Sequence, residues 1–480
     1  MKLTSQQLDR ACGALLATAA GDALGAGYEF GAPMPPETPV AMIGGGLGPF
    51  APGEWTDDTS MAIAIAEIAA TGADLRDEAS QDQLIDRWNQ WRAVARDIGV
   101  QTSSVLSSAA RSGSTAAAAR EAAASHHRSG GRSGGNGSLM RTAPVALAYL
   151  DDEAALVQAA RAISVLTHYD PEAADACVLW CAAIRHAVLT GELDVRIGLG
   201  HIDAERRTLW EDRIVEAENS RPRDFTRNGW VVHALQGAWS AIVTTAVPGD
   251  DPAAGTFRAD HLRLALEAAV RGGHDTDTVA AIAGGLLGAA HGASAVPAHW
   301  RRILHGWPGL RTPDLIRLAT AIATGPSQAP VDYTGWGGTE ALARHPHDDG
   351  VWIGGVDALL HRPDGVDAVV SLCRIPEVDL GGVECVEVRL IDRVDANPHL
   401  DFVLLDSVRA VEELRAQGRT VLLHCVSAQS RTPTVAALYG ARRAGIGVGQ
   451  ALAEVLAALP AADPNADFRA ALRRLDPDTD

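Results

Sequence analysis

Apolar residues recur at helical spacing from residue 6 to about 325, and then the period changes. In the first stretch, runs of Ala and Leu are separated by Gly, Pro and Asp breaks, with little β-branched alternation. Such a pattern packs helices on helices. Past residue 350, short β-type runs at 351–355, 367–373, 383–391 and 420–425 alternate with helical stretches, which predicts a small α/β domain with a mostly parallel sheet. Between 326 and 349 the period is lost and Pro, Gly and Asp gather. The expectation is therefore a multidomain chain, with an all-α domain over 1–325, a linker over 326–349 and an α/β domain over 350–480.

Two clusters break the Ala-rich pattern. "GEWTDDTS" (53–60) puts Thr56, Asp57 and Asp58 directly before the apolar run from Met61, and "GGHDTDT" (272–278) puts Asp275 and Asp277 before another from Val279. Residues two apart do not share a helix face, so Asp275 and Asp277 belong in the turn ahead of the helix, where both carboxylates can converge. Asp and Thr also favour N-caps, the structural alternative for each cluster taken alone. The same signature opening two helices points further, to a site for hard cations. Carboxylate and hydroxyl oxygens suit Mg²⁺ rather than zinc, and this set is large enough for two ions. Gly284, Gly285 and Gly288 predict a tight helix contact beside it.

A net charge of -19 opposes general binding to nucleic acid or to anionic membrane. No stretch offers 18 uninterrupted apolar residues, so no membrane span is expected. The apolar N-terminal stretch follows Asp9 and lacks a basic leader, so it is not read as a secretory signal. The cysteines, Cys12, Cys177, Cys181, Cys373, Cys385 and Cys425, show no zinc-type pairing and suit a reducing cytoplasm. "SHHRSGGRSGGNGS" (125–138) reads, on composition, as a flexible linker.

Four segments in order, "GALLATAAGDALGAGYEF", "WTDDTSMA", "GGNGSLMRTAPVAL" and "GGHDTDTVAAIAGGLLGA", resemble the ADP-ribosylglycohydrolase family. The resemblance implies an all-α fold, a dinuclear Mg²⁺ or Mn²⁺ centre, and hydrolysis of the bond between an ADP-ribosyl group and its acceptor. It implies metal ligands at Thr56, Asp57, Asp58, Asp275, Asp277 and Thr278, and a general base or shutter at Glu29. The Gly-rich run then becomes the loop that wraps the diphosphate, with Ser133, Gly134, Gly135 and Asn136 presenting backbone N–H groups. His168 resembles a family histidine near the ribose, the alternative being a structural role. Metal ions that orient ribose hydroxyls and activate water leave one carboxyl to manage the proton. His274 is inserted where relatives read Gly-Gly-Asp, which bears on the shape of this loop.

"VLLHCVSAQSRTPTV" (421–435) sets Cys425 at a strand end and Arg431 at the start of a helix. The intervening backbone N–H groups can curl around a phosphate, and the helix N-terminus and Arg431 favour a nucleophilic thiolate. Residues 350–480 resemble the dual-specificity branch of the protein tyrosine phosphatases. That resemblance implies Cys425 as nucleophile, Arg431 as phosphate clamp, Thr432 as the hydroxyl assisting hydrolysis of the phosphocysteine, and Asp392, with Asp395 second, as general acid. Ala428 stands where relatives have Gly; at positive φ it would cost about 1 kcal/mol.

The expected function is metal-dependent de-ADP-ribosylation joined to a cysteine-dependent phosphatase. Its partners would be an ADP-ribosylated protein or small molecule and a phosphorylated substrate. The alternatives are a salvage enzyme for free ADP-ribosyl phosphates or related nucleotides, and a non-catalytic reader of ADP-ribose or phosphate.

Overall fold

A computed structural model describes residues 2–130, 133–326, 331–333, 335–376 and 380–476. The chain divides into two compact units. The first comprises Met1–Ala246, His261–Val296 and Ile303–Ser327, and the second Val247–Asp260, Pro297–Arg302 and Gln328–Asp480.

The first unit is helical. The elements that build its site are α1 (Ser5–Gly25), α2 (Asp57–Ala69), α3 (Ala116–Gly130), α4 (Pro171–Thr190) and α5 (Thr276–His291). Thr4 and Gln7 form a capping box that starts α1. From Ala11 to Gly25 every residue of α1 is buried, which is the burial pattern of a helix apolar on all sides. Its glycines set how closely α5 approaches. A Cβ on Gly13 would lie 2.2 Å from the Gly288 carbonyl oxygen, one on Gly284 2.1 Å from that of Ala17, and one on Gly21 2.2 Å from that of Ala280. The two helices therefore meet backbone to backbone, and the contact carries Asp22, near the end of α1, to Asp277, at the start of α5.

The helix α4 is long and apolar enough by length and composition to cross a membrane, yet 78% of its apolar window is buried inside the protein. It is a core helix, and its buried Asp175 pairs with Arg161 at 3.1 Å and Arg206 at 2.6 Å.

One departure from an all-helical unit is a short antiparallel hairpin, β1 (His305–Gly306) and β2 (Leu310–Arg311). It holds the entry to α2, because the His305 N–H donates to Gly53 O at 2.9 Å and the His305 carbonyl accepts the Trp55 N–H at 3.0 Å. The Gly-rich stretch differs from a linker as well. The Ala116–Ala124 run carries α3 on through His126 and His127 to Gly130; Gly131 and Arg132 lie outside the described residues.

The second unit carries a five-stranded sheet of β3 (Leu342–His345), β4 (Asp348–Gly354), β5 (Ala368–Ser371), β6 (Glu384–Glu387) and β7 (Val421–His424), in the order β3-β4-β7-β5-β6. The sheet is mixed. β3 runs antiparallel to β4, and the ladders β4–β7, β7–β5 and β5–β6 are parallel. The strand β3 lies inside the stretch expected to be a linker, of which residues 327–330 and 334 fall outside the described residues. Around the sheet are α6 (Leu400–Ala416), α7 (Arg431–Ala444), α8 (Val448–Ala458) and α9 (Ala466–Arg474). Within this unit buried Asp406 accepts the Ala298 N–H and the Arg301 guanidinium, each at 3.0 Å.

Candidate functional site

The two Asp/Thr clusters meet at the contact of α1, α2 and α5. Thr56 and Asp275 occupy N-cap positions, yet neither side chain caps its helix. The capping alternative thus fails at both. Instead the Thr56 N–H and hydroxyl donate to Asp22 Oδ1 at 2.9 and 2.8 Å, and the Thr59 N–H donates to Asp22 Oδ2 at 2.9 Å. The Thr278 hydroxyl lies 3.4 Å from Asp58 Oδ2, and that of Thr56 3.4 Å from Asp277 Oδ2.

Carboxylate oxygens of Asp22, Asp58 and Asp277 fall within 4.8 Å of one another, and so do those of Glu29, Asp275 and Asp277. Asp277 belongs to both groups. Asp57 belongs to neither; its Oδ2 accepts the Gly99 N–H at 3.1 Å. One member, Asp22, was missed in the sequence, and so was Asp97, which belongs to neither group but raises Glu29 and Asp57. Asp22 sits in an apolar helix with no second acid beside it, its one signal being a carboxylate with apolar neighbours on every side. Asp97 lies in a loop with no signal at all.

Burial and mutual repulsion disfavour charge on this crowd of acids. Burial, then Asp97, Asp275 and Asp57, push Glu29 up to about 8, and burial, then Asp97, push Asp57 up to about 7. Asp58 and Asp277 are raised well above the ordinary range, burial being the first cause for each. Asp58 Oδ1 and Glu29 Oε2 are buried without any hydrogen-bond partner. Orphaned carboxylate oxygens converging in pairs of groups fit hard divalent cations, whose charge would offset both the repulsion and the desolvation.

The run from Ser133 to Ser138 is pinned beside this cluster. Gly134 O accepts the Val231 N–H at 2.9 Å, and Ser133 O accepts from Gln101 Nε2 at 2.9 Å. The Asn136 N–H donates to Gly229 O at 3.1 Å, which occupies one of the donors expected to face a phosphate; those of Gly134 and Gly135 take no part in these bonds. The Asn136 side chain donates to Asp275 Oδ2 at 2.8 Å. Asn228, unsuspected from sequence, holds the same aspartate by accepting its N–H at 3.1 Å. The Ser133 hydroxyl contacts His127 Nδ1, and His168 is buried behind the loop.

In the second unit Cys425 follows β7 and is buried, its N–H donating to Gly354 O at 3.3 Å. Arg431 opens α7, and its Nη1 donates to Leu372 O at 2.9 Å and Leu390 O at 3.2 Å, which holds the guanidinium on two carbonyls. The Thr432 hydroxyl donates to Gly354 O at 3.4 Å. Ala428 holds φ 52°. The Asp392 carboxylate lies 3.7 Å from Arg431 Nε and accepts from Asn465 Nδ2 at 3.0 Å. Asp395 instead has φ 59° and its N–H donates to Asp467.

The sequence profile of the ADP-ribosylglycohydrolases matches residues 3–329. ADP-ribosylarginine hydrolase Tri1 of Pseudomonas putida (strain GB-1) is 31% identical over 303 residues, covering 62% of this chain and 74% of that protein. ADP-ribosyl-[dinitrogen reductase] glycohydrolase of Rhodospirillum rubrum is 30% identical over 299 residues, covering 61% and 89%. A shorter match, 35% identical over 89 residues, covers 18% of this chain and 44% of dual specificity protein phosphatase 1 of Arabidopsis thaliana. With its profile matched over more than half its length and its two acidic clusters joined in one site, the chain belongs to the ADP-ribosylglycohydrolase family.

Proposed function

We propose that the first unit hydrolyses the N-glycosidic bond between ADP-ribose and an arginine side chain of a protein, with two divalent cations, Mg²⁺ or Mn²⁺, as cofactors. The observation that carries this is Asp277 shared between two carboxylate groups with orphaned oxygens. Asp22, Asp58 and Asp277 would hold one ion, and Glu29, Asp275 and Asp277 the other. Thr56, Thr278 and Asp57 would act around them. Such ions supply positive charge that orients ribose hydroxyls and makes water more acidic. The Tri1 relative's name supports arginine as acceptor.

Asn136 and Asn228 keep Asp275 in place, and Asp22 keeps Thr56 in place. Water adds to the anomeric carbon as the bond to the guanidine nitrogen breaks; the leaving guanidine keeps the electron pair and gains a proton. Glu29, with one buried oxygen unpartnered, handles the proton lost by water. A cavity of about 390 Å³ beside Asp57 and Asp97, walled by Trp55, Trp91 and Trp307, gives room for the acceptor arm. Backbone N–H groups of Gly134 and Gly135 would meet the diphosphate. The test is release of ADP-ribose from ADP-ribosylarginine and from ADP-ribosylserine by EDTA-stripped protein, before and after Mg²⁺ or Mn²⁺ is restored. Turnover without metal, or on serine alone, overturns the reading.

A second activity, cysteine-dependent hydrolysis of a phosphate ester, is favoured by Cys425, the loop after it and Arg431 held on two carbonyls. In this reading Cys425 attacks phosphorus, Asp392 protonates the leaving oxygen, and Thr432 assists hydrolysis of the phosphocysteine. Loss of aryl phosphate hydrolysis in Cys425→Ser, with ADP-ribose release unchanged, tests it. The six free cysteines support cytoplasmic residence.

A further inference from the structure

Arg141 is fully buried directly after the pinned loop, with its guanidinium carbon 4.1 Å from the centre of the Trp88 ring. Its Nη2 donates to Thr167 Oγ1 at 2.7 Å and to Ile163 O at 3.3 Å. Burial lowers its pKa to about 9, which leaves it charged at neutral pH. A guanidinium only donates hydrogen bonds, so Thr167 Oγ1 accepts there, and the threonine's own proton needs a different acceptor. His168 Nδ1 lies 2.8 Å from it.

The direction of these two bonds fixes the imidazole. Nδ1 accepts from Thr167 and carries no proton, so in the neutral ring the proton is on Nε2. A second proton is opposed by burial and by the charge of Arg141 and His126, which hold His168 well below its ordinary range. Nε2 faces the Gly-rich loop. A Cβ on Gly135 or on Gly137 would each stand 3.2 Å from it, so the glycines keep the ring edge uncovered.

We propose that Arg141 and Thr167 are positioning residues that lock His168 as an Nε2–H donor for an acceptor oxygen of the ADP-ribosyl ligand, on a diphosphate or a ribose hydroxyl. The ligand part rests on the reading that this loop holds ADP-ribose. With Nδ1 occupied and Nε2 protonated, His168 moves no proton in the reaction. It orients.

Nitrogen-15 NMR of histidine-labelled full chain reads the tautomer without any ligand. Wild type and Thr167→Ser should show His168 as Nε2–H, and Thr167→Val should show a shifted or mixed tautomer. Calorimetry should then find ADP-ribose bound on the order of tenfold more weakly by Thr167→Val, with Thr167→Ser within about twofold of wild type. A matching loss for ADP places the oxygen on the ADP moiety that the two ligands share; loss confined to ADP-ribose places it on the terminal ribose. An Nδ1–H ring in wild type overturns the lock, whatever the protein binds. An altered tautomer in Thr167→Val with unchanged ADP-ribose affinity overturns the donor role. Wild type that shows the Nε2–H ring but does not bind ADP-ribose overturns the reading of the loop and not the lock.

Discussion

The Phe30 N–H donates to the His274 carbonyl at 2.5 Å, and both residues hold positive φ, 58° and 64°. The His274 N–H answers by donating to Gly31 O at 2.8 Å. This two-way bridge ties the segment after Glu29 to the turn that carries Asp275 and Asp277. His274 makes this connection with its backbone rather than its ring.

His274→Gly should therefore stabilise the protein. The bridge needs only main-chain atoms, and glycine removes a left-handed strain of about 1 kcal/mol. Thermal unfolding checks the sign, and ADP-ribose release should persist.

Metal affinity should depend on pH in a stated direction. With Glu29 at about 8 and Asp58 and Asp277 raised well above the ordinary range in the absence of metal, ion uptake must displace protons, so Mn²⁺ affinity should climb from pH 6 to 8. For the metal-free protein the sign reverses. Raised carboxyl groups contribute stability below their unfolded values that is lost as pH rises through 7 and 8. The melting temperature of stripped protein should fall over that range, and saturating Mn²⁺ should remove the fall.

Among the aspartates, Asp277→Asn should cost more metal affinity than Asp57→Asn, because Asp277 serves both carboxylate groups and Asp57 serves the Gly99 N–H. Calorimetry with Mn²⁺ should show a loss on the order of a hundredfold for the first, as expected for a ligand change, and a smaller one for the second.

Gly288→Ala should destabilise by about 3 kcal/mol, since its Cβ would stand 2.0 Å from the Gly13 carbonyl oxygen and 2.8 Å from the Ala17 Cβ, neither of which can turn aside. Metal affinity should fall with it, because the same contact sets Asp22 against Asp277. Chemical denaturation and calorimetry on the one variant test both halves.

Ala428→Gly should stabilise the second unit by about 1 kcal/mol, given φ 52° at this position. If the 425–431 loop is an anion cradle, vanadate affinity should rise with it. Unchanged stability would show that the strain is relieved elsewhere.

Much of this was legible in the sequence wherever a residue type had one strong reason to be where it is. The helical period, the glycines of the helix contact, the paired Asp/Thr turns and the Cys425–Arg431 spacing each state a local demand. Asp22 states only that a carboxylate sits among apolar neighbours. It becomes a site residue only when α2 and α5 arrive, and no spacing rule links it to Thr56. Asn228 and Asp97 lie in loops and are recruited through space in the same way. The strand β3 was hidden because "LARH" alternates weakly and half of it faces outward. In the Gly-rich stretch, helix propensity from the preceding alanines overran the composition signal as far as Gly130.

Where α1 and α5 touch main chain to main chain at Gly13, Ala17, Ala280 and Gly288, neither helix can slide along the other without its carbonyls colliding with the facing backbone. The spacing of Asp22 and Asp277 therefore rests on main chain, and the segment after Glu29 is tied to the turn ahead of α5 through Phe30, Gly31 and His274 and, further on, through Met34 and Thr38 to Arg271. A change in either helix that widened their contact would thus reach both carboxylate groups at once, since Asp277 serves the two.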